Sequence, residues 1–330
     1  MKKILFYVLL VFSLVLYDPI FVYAEGTYAS ELTGLPLDNS YITIKPIAVM
    51  VDNEQKALPH SGVAEADIVY ELMNSTANGR ITRLFCFYKN YISVPLIGSI
   101  RSVRTANIPI AAEYDAVLIH EGGPEIYVKQ GLANPWSTDL NGGFSRIKNG
   151  KATEFTEFVT PAEVVSHAQK AKVSLNYASG SHTSHFKFTS DNSTSVFNQG
   201  KLIDMSAAFP HTKSALAFNE GTSTYDYYTY GALQLDNGTN KPVSFKNVIL
   251  QATPYFQLDE NGYMCYSLIG MGTGYYFVNG KYTTITWKKA SATDITRYYD
   301  ASSGKEIELI PGKTYVCLYP KEYLTGLSIK

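Results

Sequence analysis

The sequence predicts an α+β, mixed α/β protein: an N-terminal α/β region on a mixed sheet, then an antiparallel β-rich region that can pack with it as one body. Three observations predict it. Pro46–Val51 and Ala116–Ile119 are continuous apolar runs, the mark of strands buried on both faces, with helix-compatible Thr105–Tyr114 before the second. From Ser174 onward Ser, Thr, Asn, Gly and Tyr dominate, and short alternating runs are separated by turn pairs such as Asn261-Gly262 and Asn279-Gly280. No repeat or low-complexity linker divides the halves. At 330 residues, 45% of them apolar, the chain can bury a sizeable core in one large or two ordinary domains.

Residues 1–24 read as a secretory signal peptide. Lys2 and Lys3 precede the apolar run Ile4–Tyr17, Asp18-Pro19 interrupts it, and Val22-Tyr23-Ala24 offers small residues to a signal peptidase. The run is shorter than the roughly 20 residues that span a bilayer; an uncleaved anchor is the alternative reading. No cysteine lies there for lipid attachment. Without Lys2, Lys3 and Asp18, the 28 basic and 29 acidic residues become 26 and 28, and near-neutrality without a basic stripe argues against nucleic acid.

Residues 25–45 form a polar leader with a turn at Thr33-Gly34-Leu35-Pro36, strapped over the α/β domain of residues 46–175. In that domain Asp67–Met73 alternates in strand fashion and Ile81–Tyr88 is its antiparallel partner. Pro124–Leu132 reads as a short helix and Asn134–Lys151 as a long surface loop. Thr160-Pro161-Ala162-Glu163 is a capping box opening a helix that runs to Ala171. Residues 176–330 form the β-rich domain. The 26 tyrosines suit either plain β-sheet or a surface for sugars and peptides. Cys86, Cys265 and Cys317 sit in strand-like runs as buried thiols, with a Cys265–Cys317 bridge as the alternative.

If Pro46–Val51 and Ala116–Ile119 are parallel neighbours, their carboxyl ends share the edge where open α/β sheets place ligands. Asp52 and Asn53 then face His120 and Glu121, and a folded-back loop brings in Arg101 and Arg104. Two guanidiniums beside carboxylates either hold an anionic ligand in bidentate fashion or are neutralised internally. His120, Glu121 and Asp52 have the residue types of a metal triad or an oriented base, on a spacing equally suited to a structural histidine. Glu71 and Asp67, facing Arg80 and Arg83 across the hairpin, read as cross-strand charge pairs or as paired carboxylates of a glycosidase. His182 and His185 point to opposite faces of a strand, so a shared metal is not expected. Gly270-Met271-Gly272-Thr273-Gly274 leads into a strand rather than a helix, and reads as a turn.

The segments PIAVMVDNEQKALPHSGVAEADIVYEL, GRITRLFCFY and IGSIRSVRTANIPIAAEYDAVLIHEGG, with KNVILQ, TWKK and PGKTYV in the second half, resemble the YerB-like family of bacterial exported proteins, built on a domain of unknown function. The resemblance spans nearly the whole chain after residue 24. It implies an α/β first region, a β-rich second region and an extracytoplasmic location in a Gram-positive-type bacterium, and it implies no reaction. Many members are lipoproteins, whereas this signal segment lacks cysteine. Where relatives carry Pro-His-Asn before the capped helix, this chain has Thr153-Glu154-Phe155.

The expectation is an exported cell-envelope protein binding an anionic or glycan-containing wall component, or a partner protein, at a charged pocket. Its ligand-binding candidates are Asp52, Asn53, Arg80, Arg83, Arg101, Arg104, His120 and Glu121. The alternative is a wall hydrolase with Asp52, Glu71, His120 and Glu121 as catalytic candidates. No cofactor or metal is implied, and membrane contact is expected only through the signal segment.

Overall fold

Ile47–Asp52 (β1) is fully buried, as its apolar run demands. It belongs to a computed structural model that describes residues 24–180, 183–190 and 198–330. The signal-segment reading of residues 1–23 and His182 fall outside the described residues. The leader forms a hairpin, Thr27–Ala29 on Pro36–Asp38, and just before its turn Glu31 pairs with buried Lys89.

Ile68–Met73 (β2) and Thr82–Tyr88 (β3) pair antiparallel, and β3 also pairs antiparallel with β1. Asn107–Glu113 (α1) leads to Val117–His120 (β4), which lies parallel to β1 with Ile47 opposite Val117. Glu125–Leu132 (α2) follows. Asp139–Asn141 (β5) then lies parallel to β4, inside the stretch expected to be loop; three residues are too few to show a period. Thr160 caps Pro161–Ala171 (α3): its Oγ1 accepts from Glu163 N–H, and Glu163 Oε2 accepts from Thr160 N–H at 2.9 Å.

The second half supplies Asn247–Thr253 (β6), Gly270–Val278 (β7), Lys281–Lys289 (β8), Arg297–Asp300 (β9) and Thr314–Pro320 (β10). Among the described residues these join one eleven-stranded sheet in the order Asn198–Gln199, β8, β7, β6, β10, β2, β3, β1, β4, β5, with β9 on β8. The seam is parallel: β10 lies between β6 and β2, with Thr314 opposite both Asn247 and Ile68. The halves therefore share a sheet and a continuous apolar core. A six-stranded antiparallel sheet, including Leu202–Asp204, Ala215–Asn219 and Thr224–Thr229, completes the second half.

Two expectations are corrected. Gly270–Gly274 is the first part of β7, not a turn. A Cβ at Gly274 would lie 2.2 Å from the Leu250 carbonyl oxygen, and one at Gly272 would lie 2.6 Å from the Trp287 indole nitrogen, so close packing demands these glycines. Cys86 and Cys317 are buried free thiols as expected, whereas Cys265, also free, is only part-buried, and the alternative Cys265–Cys317 bridge is absent.

Candidate functional site

Beyond the end of β1 the chain leaves an open cleft of ≈ 670 Å³, walled by Asp52, Arg83, Arg101, Arg104, Glu154 and Phe155, with His211 contributed by the second half. Each wall has a local cause. Asp52 is the last residue of β1, and the β1–β3 register sets Arg83 directly opposite it. The loop before α1 folds back on β1, with Arg101 N–H donating to Met50 O at 2.9 Å and Ile100 bridging Val51. That return brings Arg101 and Arg104 to the strand end.

Arg101 is held on both sides. Its Nε lies 2.8 Å from Asp52 Oδ2, and its Nη2 lies 3.0 Å from Glu154 Oε2. Asp52 is in turn fixed by Glu54 N–H, which donates to Oδ1 at 3.0 Å. Arg83 and Arg104 are different. Arg83 Nη1 donates to Ser102 O at 2.7 Å; Arg104 Nη1 donates to Val103 O at 3.0 Å and to the same Ser102 O at 3.4 Å. Neither guanidinium has an acidic partner within ion-pair distance among the described residues, and Arg104 Nε is buried without a hydrogen-bond acceptor. Arg104 lies instead over the Tyr263 ring, 5.2 Å from its centroid. Burial, with the neighbouring Arg104, pushes the Arg83 pKa well down; burial also lowers Arg104 to about 10. The cleft holds more positive charge than its own acids offset.

Behind it Glu71 is enclosed. Its Oε1 accepts from Thr82 and Ser214 hydroxyls, both at 2.5 Å, and from Asn53 Nδ2 at 3.3 Å. Its Oε2 accepts from Tyr227 at 2.8 Å and Tyr315 at 2.5 Å. Burial raises the Glu71 pKa, although these hydrogen bonds oppose the rise. The expected cross-strand charge pairing is corrected here. Leu84, not an arginine, stands opposite Glu71, and Asp67 accepts from Lys89 N–H at 2.7 Å. Asn53 belongs to this enclosure, its Nδ2 also reaching Thr82 at 2.8 Å and Tyr227 at 3.0 Å.

The remaining candidates lie elsewhere. Arg80 donates to the carbonyls of Ala208 at 2.8 Å and Ala207 at 2.9 Å, and stacks on Tyr323. Buried His120 bonds Gly122 O at 2.8 Å through Nδ1 and Asp139 at 3.2 Å through Nε2. Glu121 pairs with Arg146, which also holds Glu157 at 2.6 Å. The shared edge expected for Asp52 with His120 and Glu121 therefore divides. Val49 stands opposite Ile119, so Asp52 projects beyond His120, and the β4 end turns its polar groups toward β5. Among the described residues no three His, Cys, Asp or Glu side chains are grouped to hold a metal ion. His185 lies buried against Glu113 at 2.9 Å. The sequence carried no signal for His211 in the cleft, nor for Ser214, Tyr227 and Tyr315 around Glu71, because only the fold makes them neighbours.

Two models for proteins of unknown function (DUF3048) match the chain, the N-terminal domain over residues 32–174 and the C-terminal domain over residues 205–316. The chain is 24% identical over 302 residues to “Putative lipoprotein YerB” of Bacillus subtilis (strain 168), covering 88% of this chain and 86% of that protein. The crystal structure of the Bacillus subtilis YerB protein is similar in fold, with a TM-score of 0.78, 22% identity, and coverage of 92% of this chain and 99% of that one.

Proposed function

Given that the chain belongs to the YerB-like family and carries both of its domains of unknown function, we propose that it is an exported envelope protein whose cleft binds an anionic group of a wall component or of a partner protein. The observation that carries this reading is the pair Arg83 and Arg104, which share the Ser102 carbonyl and have no acid within ion-pair distance among the described residues. Leaving two such charges uncompensated in a partly buried site is costly unless a ligand supplies the counter-charge. A fully neutralised network would have shown a carboxylate for each. The lipoprotein named among the relatives supports the envelope location.

Incubating the purified protein with cell-wall fragments tests this reading. Retention is expected for the native protein and is expected to fall in Arg104→Ala, with no product released. Retention indifferent to that change removes the cleft from the account. Released product that disappears in Asp52→Ala replaces binding by hydrolysis.

A further inference from the structure

We propose that the group taken by this cleft is a doubly charged phosphomonoester, and that Glu154 is an internal carboxylate that it displaces. The proposal rests on the anion-binding reading above and narrows it. Once Glu154 is displaced, Asp52 alone neutralises Arg101 and the wall charges of Glu54 and Lys56 cancel, so Arg83 and Arg104 leave two charges that a dianion balances, where a single carboxylate or a phosphodiester leaves one over. The donors also arrive from two segments, Arg83 from β3 and Arg101 and Arg104 from the loop that folds onto β1. A phosphoryl group offers three acceptor oxygens out of one plane to such a fan, whereas a carboxylate offers two within one plane.

The two acids on Arg101 are unequal. The Asp52 side chain is 4% exposed, also takes Glu54 N–H, and grips Nε from inside. The Glu154 side chain is 53% exposed and sits on the short turn Thr153–Phe155 at the cleft mouth, gripping Nη2 from outside. An entering anion therefore meets Glu154 first and takes its place, leaving Asp52 to keep Arg101 aimed inward. An ion pair this exposed is a weak competitor.

Calorimetric titration at pH 8 with glycerol 1-phosphate, dimethyl phosphate and acetate tests the class, on the native protein, Glu154→Gln and Arg104→Gln. The monoester is expected to bind at least about tenfold more tightly than the diester or acetate. It should weaken at pH 5, where a phosphomonoester, whose second pKa is about 6, loses its second charge. Glu154→Gln is expected to tighten the monoester about two- to fivefold, and Arg104→Gln to weaken it about tenfold or more. Acetate or dimethyl phosphate binding as well as the monoester overturns the ligand class while leaving anion binding intact. Unchanged affinity in Glu154→Gln overturns the displacement. Monoester affinity unaffected by Arg104→Gln puts the binding elsewhere and overturns both the proposal and the cleft reading. So does the absence of binding by all three anions.

Discussion

Replacing Glu71 should show how strongly the two halves depend on one buried carboxylate. Thr82 and Asn53 from the first half and Ser214, Tyr227 and Tyr315 from the second all converge on it. All five are buried. Glu71→Ala leaves these donors facing a void. Ser214 can still donate to Thr212 at 3.1 Å, whereas Thr82 and Tyr227 lose their acceptor and keep only the Asn53 amide that donates to them at 2.8 Å and 3.0 Å, and the full loss falls on Tyr315. At roughly 1–3 kcal/mol for each buried group left unpaired, plus the lost packing, about 3–6 kcal/mol is expected. That is a large share of a typical 5–15 kcal/mol total. Glu71→Gln keeps one acceptor oxygen and should cost about 1–3 kcal/mol. Urea unfolding gives the answer as a shift in midpoint at constant slope. The pH dependence adds a sign. Because burial raises the folded pKa of Glu71, its contribution is complete below the unfolded value and is lost as pH rises through the folded one. Glu71→Gln should lack that fall. A loss below about 0.5 kcal/mol in Glu71→Ala, within the range of an ordinary surface substitution, would refute this reasoning.

Three further outcomes are expected. Burial pushes His60 down to about 4, so its contribution is complete above its ordinary value of 6.5 and is lost as pH falls toward 4. That amounts to about 3 kcal/mol at 1.36 kcal/mol per pH unit; the acid limb of a stability–pH curve should flatten in His60→Gln. His120→Ala should lower stability by about 1–3 kcal/mol through its lost bonds to Gly122 and Asp139, yet leave wall-fragment retention unchanged, since His120 does not line the cleft. Gly274→Ala should break the β6–β7 pairing against the Leu250 carbonyl, lowering the urea midpoint, whereas Gly231→Ala, with open space around its Cβ and strain only from its positive φ, should lower it much less.

What the sequence made legible was local or periodic. Uninterrupted apolar runs identified β1 and β4 as strands buried on both faces, and the parallel pairing taken as a condition for the shared edge is the one the structure has. The Thr160 box located the start of α3, and the spacing of Arg101 and Arg104 singled out the loop that reaches the cleft. The errors have one source: contacts between distant parts of the chain. The partners of Glu71 include hydroxyls at 214, 227 and 315, so nearby Arg80 and Arg83 looked like its partners when they were not. His120 shares a sheet edge with Asp52, but β5, too short to read, turns it away. Gly272 and Gly274 read as a turn because the Trp287 ring and Leu250 carbonyl that require them are invisible in one dimension. Glu154 gained its place only once the turn after the long loop folded onto Arg101.

The most direct test of the cleft is a crystal of the protein soaked in tungstate, a tetrahedral dianion with a strong anomalous signal. The account predicts an anomalous peak between the guanidiniums of Arg83 and Arg104, with Arg101 still on Asp52 and released from Glu154. Tungstate bound only elsewhere, with Arg101 still gripping Glu154 over an empty cleft, would contradict it.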